Sequence, residues 1–278
     1  MEQHTLADSS ENRTSAVVET FELTCRFATF TAVDAVSLRV NAGQIFGLIG
    51  PNGAGKSTLI KMLATMLPAS SGRALVAGFD ITTQAGEVRK HIGYVPQLLS
   101  ADGELTGYEN LSLSARLYLI PRAEREARIN ESLAMMGLSD VRDRLVRNYS
   151  GGMIRRLEIA QSTLHRPSIV FMDEPTEGLD PGGRHAVWNH IRDLRSRLGV
   201  AIIVTTHYMD EADVLCDEVA LIDHGRIRTI GAPAALKAAI GPSATLDDVF
   251  LSLTGTIIEP AGDYRDVLQT RRAAREHG

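Results

Sequence analysis

A chain of 278 residues is long enough to bury a substantial core, as one large domain or two small ones. Hydrophobic residues make up 44% and charged residues 23%, an ordinary globular balance, and a net charge of −5 offers no bulk attraction for nucleic acid. No apolar run approaches the ~18 residues of a membrane span, and the acidic start (Glu2, Asp8, Glu11) is unlike a secretory signal.

Residues 1–15 are polar and aperiodic and are expected to be disordered. Segments 17–23 and 35–40 are β-rich and predict an antiparallel portion, with a further strand at 73–77. Segment 44–49 predicts a short buried strand. After it, Leu59, Met62, Leu63, Met66 and Leu67 fall on one face of a helix that Pro68 ends. Another strand spans 92–95. From about 98 to 166 helices dominate, at 109–118, 122–136 and 153–164, punctuated by Pro121, Gly137 and Pro167. The apolar runs 169–172 and 201–205 are continuous, as strands covered on both faces require. Helices are expected at 184–198 and 209–216, and a hairpin pairs 219–222 with 226–230. Trp188 is expected in the core. Cys25 and Cys216 lack metal-ligand spacing and read as reduced core thiols. The tail beyond Gly255 reads as a loosely packed helix. Strands alternating with helices predict an α/β fold with a parallel sheet.

One run carries the chemistry. Gly50, Pro51, Asn52, Gly53, Ala54, Gly55, Lys56, Ser57 and Thr58 satisfy GxxxxGK[ST], with a strand before and a helix after. Glycines let successive N–H groups turn inward toward phosphate oxygens, and the helix N-terminus adds partial positive charge. Lys56 can reach the β- and γ-phosphates of a nucleoside triphosphate, and Ser57 can offer its hydroxyl to Mg2+. A second element is acidic. Asp173 follows an apolar strand, so it falls at the carboxyl edge where open α/β sheets bind ligands. Glu174 is next, and on an extended backbone the two acids point to different sides. One can then serve the metal while the other faces the attacking water.

Residues 171–180, FMDEPTEGLD, resemble the Walker B motif and D-loop of an ATP-binding cassette (ABC) ATPase. Tyr149, Ser150, Gly151, Gly152 and Met153 resemble that family's LSGGQ signature, with departures at Tyr149 and Met153. Residues 94–97, YVPQ, resemble its Q-loop, and Thr205, Thr206 and His207 its switch-histidine segment. Order and spacing agree over about residues 17–255. Arg155, Arg156, Leu157 and Glu158 after the signature, with the ending 245–250, TLDDVF, are similar to daunorubicin-resistance-type exporters of the ABC-2 group.

The resemblance implies a P-loop NTPase (RecA-like) core at 16–97 and 167–230 with an antiparallel β portion. It also implies an inserted helical subdomain at 98–166 and a C-terminal extension at 256–278. ATP and Mg2+ are the implied cofactors, with Ser57, Gln97 and Asp173 at the metal. Glu174 is the implied general base or water orienter, His207 meets the γ-phosphate or the water, and Gln97 touches Mg2+ or water and hinges the helical block. Phe27, with Phe30 as rival, stacks on adenine; core packing is the alternative for both. Ser150, Gly151, Gly152 and Asp180 serve the nucleotide of an opposing copy, so a nucleotide-sandwich homodimer is expected. Partners are separately encoded ABC-2 membrane permease subunits, placing the chain at the cytoplasmic face of the membrane, without nucleic acid. A soluble non-transport ABC ATPase and an importer ATPase are the alternatives. The guanine motif NKxD of a GTPase does not occur.

Overall fold

The computed structural model describes residues 16–255. The expectations for 1–15 and 256–278 lie outside the described residues. Two sheets organise the chain. The first is antiparallel and is built by β1 (Ala16–Phe27), β2 (Phe30–Val36), β3 (Arg39–Asn41), β5 (Ser71–Val76) and β6 (Phe79–Asp80), in the order β2-β1-β5-β6 with β3 also on β1. The second contains β4 (Ile45–Ile49), β7 (Ile92–Val95), β8 (Ile169–Asp173), β9 (Ala201–Thr206), β10 (Glu218–Asp223) and β11 (Arg226–Gly231). Its order is β11-β10-β4-β9-β8-β7, parallel except for the edge hairpin β10–β11.

The helices are α1 (Lys56–Leu63), α2 (Ala85–His91), α3 (Gly107–Leu117), α4 (Arg122–Met135) and α5 (Gly151–Thr163). After them come α6 (Pro181–Leu198), α7 (Met209–Leu215), α8 (Pro233–Ile240) and α9 (Leu246–Thr254). Alternation along each parallel strand divides the core. Phe46, Leu48, Phe171, Ile203 and Ile222 face α1 and the antiparallel sheet. Ile45, Val170, Met172, Ile202 and Val204 face the other way, onto α5, α6 and the α3–α4 pair. Trp188 lies in this second core, as expected. A third, smaller cluster packs α7 and α9 on Ile49, Val219 and Leu221.

Several expected boundaries move. The apolar face through Leu67 overextends α1: Thr65 turns left-handed (φ 60), so the helix stops at Leu63, short of Pro68, and Met66 is exposed. The single strand expected at 35–40 is two strands, β2 and β3. The break is bridged by the Thr20 hydroxyl, which donates to Val36 O and accepts from Leu38 N, both at 2.9 Å. α3 starts at Gly107 rather than 109, because Thr106 and Glu109 form a reciprocal capping box. α5 starts at Gly151, with Ser150 as N-cap accepting from Met153 N. α6 starts at Pro181, a residue well suited to the first helical position. Cys25 and Cys216 are both free thiols.

Candidate functional site

Parallel pairing in register brings the ends of β4, β7, β8 and β9 to one edge of the sheet, and each end delivers a different group there. β4 runs into the loop 50–55, which closes onto α1. Gly55 takes φ 104, and a Cβ at that position would lie 2.3 Å from Ala32 O. The turn therefore needs glycine both for its dihedral and for the close approach of β2. Lys56 is buried, with Nζ 2.8 Å from Gly50 O, 3.0 Å from Pro51 O and 3.3 Å from Glu174 Oε1. Burial pulls its ammonium below the usual lysine range, and the Glu174 carboxylate opposes that pull.

Asp173 ends β8. Its Oδ1 accepts from Ser57 Oγ at 2.8 Å and from Thr205 Oγ1 at 2.7 Å. Glu174 is already off the strand, at φ 48, so the extended-backbone argument for its direction does not hold. A left-handed turn separates the two acids instead. Its N–H is held by Thr205 Oγ1 at 2.9 Å, and its Oε2 lies 3.3 Å from His207 Nδ1. Burial alone would raise the Glu174 carboxyl. The His207 imidazole and the Lys56 ammonium beside it outweigh burial and hold it well below the usual carboxylate range. His207 Nε2 is buried without a protein partner among the described residues.

Gln97, beyond β7, donates from Nε2 to Glu177 Oε2 at 2.6 Å and to Glu174 Oε2 at 3.4 Å. Glu177 was not anticipated from the sequence. Burial and the charge of Glu174 push its carboxyl up, while Gln97 pulls it down. Thr205, which ties Asp173 to the Glu174 backbone, was also missed as a contact. Its place at the end of β9, level with Asp173, was the available signal.

A cavity of about 360 Å3 is lined by Asn52, Gly53, Gly55, Lys56, Ser57, Thr58, Gln97, Glu174 and the aromatic pair Phe27 and Phe30. The two residues are backbone partners at the turn of the β1–β2 hairpin and are 47% and 60% exposed, which excludes core packing for either. Ser150, Gly151, Gly152 and Asp180 are not brought to this cavity. They line a separate one of about 350 Å3 with Leu179 and Gly183, and the two cavities share no lining residue. Tyr149 is buried, and its hydroxyl donates to Val141 O at 2.7 Å. Among the described residues no cluster of three His, Cys, Asp or Glu could hold a metal. The oxygen donors Ser57, Asp173 and Gln97 nevertheless suit a hard cation that keeps most of its shell from water and phosphate.

A strand, a glycine-bearing loop with an inward lysine and a helix N-terminus, at the carboxyl edge of a parallel sheet, define a phosphate-loop nucleotide-binding protein. A family model described as ABC transporter matches residues 33–177. The daunorubicin/doxorubicin resistance ATP-binding protein DrrA of Streptomyces peucetius is 47% identical over 210 residues, which cover 76% of this chain and 63% of that protein. The Nod factor export ATP-binding protein I of Ralstonia nicotianae is 42% identical over 76% of this chain and 65% of its own length. A solved structure described as the ATP binding subunit of an ABC transporter superposes with a TM-score of 0.76 at 28% identity, covering 86% of this chain and 99% of that one. The chain belongs to the ABC transporter family, and its fold is that of an ABC ATP-binding domain.

Proposed function

We propose that this chain is the ATP-hydrolysing subunit of an ABC-2 type exporter, working as a pair of copies that sandwich ATP. The supporting observation is the division of labour between the two cavities. One gathers Lys56, Ser57, Glu174 and Gln97, with Asp173 behind Ser57; the other gathers the 150–152 turn and Asp180 and holds no lysine. Each is half of a phosphate site. A second copy, turned by a two-fold axis, supplies the missing half to both.

In this reading, phosphate oxygens replace the carbonyls now bonded to Lys56, and loop N–H groups of residues 52–58 cradle the β-phosphate. Phe27 or Phe30 stacks on adenine. Ser57, Asp173 and Gln97 are the residues that would hold Mg2+, which supplies charge neutralisation on the β- and γ-phosphates when bound. Glu174, kept ionised by its neighbours, accepts the proton of the attacking water as the water oxygen bonds to the γ-phosphorus. The bond to the bridging oxygen breaks and ADP leaves. His207, through Nε2, steadies the γ-phosphate. Loss of the γ-phosphate removes the contact to the 150–152 turn of the other copy, and the pair opens.

No helix among the described residues is long and apolar enough to cross a membrane. Placement at the cytoplasmic face then depends on separately encoded permease subunits, and no nucleic acid takes part. The drug-resistance and Nod-factor-export names of the relatives favour an export role, with a drug, lipid or polysaccharide as cargo. Glu174→Gln is expected to retain ATP binding while turnover falls by roughly 10²–10⁴-fold, the usual contribution of a general base. An unchanged ATPase rate would overturn the assignment.

A further inference from the structure

Thr205 lines neither cavity, yet it touches both acids of the phosphate site. It is fully buried at the end of β9, in register with Asp173 at the end of β8. Strand alternation places it with Ala201 and Ile203, on the side of the sheet that faces α1. The four residues of β9 before it, Ala201, Ile202, Ile203 and Val204, are apolar and buried. A valine would continue that run and suit a buried strand, so the strand itself does not call for a hydroxyl. Burying one costs free energy unless it is bonded.

Here the hydroxyl is bonded twice. An amide N–H can only donate, so Oγ1 accepts from Glu174 N at 2.9 Å and gives its one proton to Asp173 Oδ1 at 2.7 Å. A single oxygen atom thus spans from the carboxyl of one acid to the backbone of the next. That backbone takes φ 48, a conformation uncommon outside glycine, which lasts only where the surroundings impose it. At its far end the Glu174 carboxyl leans on Lys56 and His207, each at 3.3 Å. In the reading given above, both of those turn to the phosphates when nucleotide binds. The grip of Thr205 on the Glu174 backbone does not depend on them.

We propose that Thr205 is a positioning residue for ATP hydrolysis, its hydroxyl fixing Asp173 and Glu174 relative to each other. This inference rests on the roles given to those two acids under the proposed function and adds the group that sets their geometry. The test compares Thr205→Val, which keeps the volume, with Thr205→Ser, which keeps the hydroxyl, in the full chain. Thermal midpoint, kcat, KM and ATP affinity by calorimetry, in EDTA and in Mg2+, are measured. In Thr205→Val, kcat and the gain in ATP affinity conferred by Mg2+ should each fall by about tenfold or more, the usual cost of losing a partner that orients a metal-binding carboxylate. Affinity in EDTA should stay within about threefold of wild type, because the phosphate loop is untouched. Thr205→Ser should restore both lost quantities. Wild-type turnover and Mg2+ gain in Thr205→Val would overturn the proposal. So would a Thr205→Ser variant as impaired as Thr205→Val, or a loss of affinity in EDTA that follows the thermal midpoint. Loss of turnover without loss of the Mg2+ gain, or the reverse, overturns the joint hold on the two acids. If Glu174→Gln hydrolyses ATP at the wild-type rate, the role of Glu174 fails, and the Mg2+ gain, which makes no use of Glu174, decides Thr205 alone. Should Thr205→Val not fold, Thr205→Ala against Thr205→Ser differs by the hydroxyl only and is judged by the same criteria.

Discussion

Glu211 shows how one buried acid can organise the two segments that follow β8 and β9. It is 1% exposed, and its Oε1 accepts from Thr176 Oγ1 and from Trp188 Nε1, both at 2.8 Å. Thr176 follows Glu174 by two residues, and Glu211 follows His207 by four, so one oxygen ties both segments to α6. Its Oε2 is buried without a hydrogen-bond partner among the described residues. Burial pushes this carboxyl up, despite the donors around it. The sign follows from linkage. Above the ordinary glutamate pKa the unfolded chain loses this proton while the folded chain keeps it, so folding becomes less favourable as pH rises toward the elevated folded value. Glu211→Gln keeps the acceptor for Thr176 and Trp188 and removes the proton from the balance. The variant should gain on the wild type by about 1.4 kcal/mol per pH unit between the two pKa values. Urea melts from pH 4 to 8 measure it; parallel stability curves for the two proteins would refute the buried-proton account.

At the scale of elements, legibility depended on whether a feature is local. The phosphate loop was fully legible, because strand, glycines, lysine and helix lie within one short run. The buried strands β8 and β9 were legible for the same reason, as unbroken apolar stretches. Three short helices were not. α2 buries only Val88, and α8, apolar on all sides except at Lys237, buries only Pro233, so neither shows a one-sided apolar stripe to read. α9 has one, but was read only as a family ending. The gathering of Gln97, Glu174 and Glu177 depends on the pairing of β7 with β8, a long-range fact that no single window contains. Loop strain is local again and can be tested. Gly55→Ala places a Cβ 2.3 Å from Ala32 O at φ 104, while Gly53→Ala, at φ 81, meets nothing within 4 Å. Backbone strain of about 1–3 kcal/mol is common to both. The clash is confined to position 55, so Gly55→Ala should show the lower thermal midpoint and should lose ATP binding, measured by calorimetry. Equal midpoints would mean that β2 yields freely and does not hold the loop.

Across the whole molecule, the two separate cavities make the two-copy proposal testable, because under it one chain does not complete a phosphate site alone. Lys56→Met disables the phosphate cradle and leaves the 150–152 turn intact. Ser150→Arg blocks that turn and leaves the cradle intact. Each variant alone should be inactive, because every site in its own pair contains the defect. In a mixed pair, the cradle of the Ser150→Arg chain meets the turn of the Lys56→Met chain, and one complete site forms while the other carries both defects. Random pairing in an equal mixture places half of all chains' sites in mixed pairs, and half of those are complete. The mixture should therefore recover about a quarter of the wild-type ATPase rate if the two sites fire independently. A smaller recovery that still exceeds both parents would measure the coupling between sites as a free energy. No recovery, with mixed pairs shown to form by differential tagging, would mean that each chain completes its phosphate site without the other.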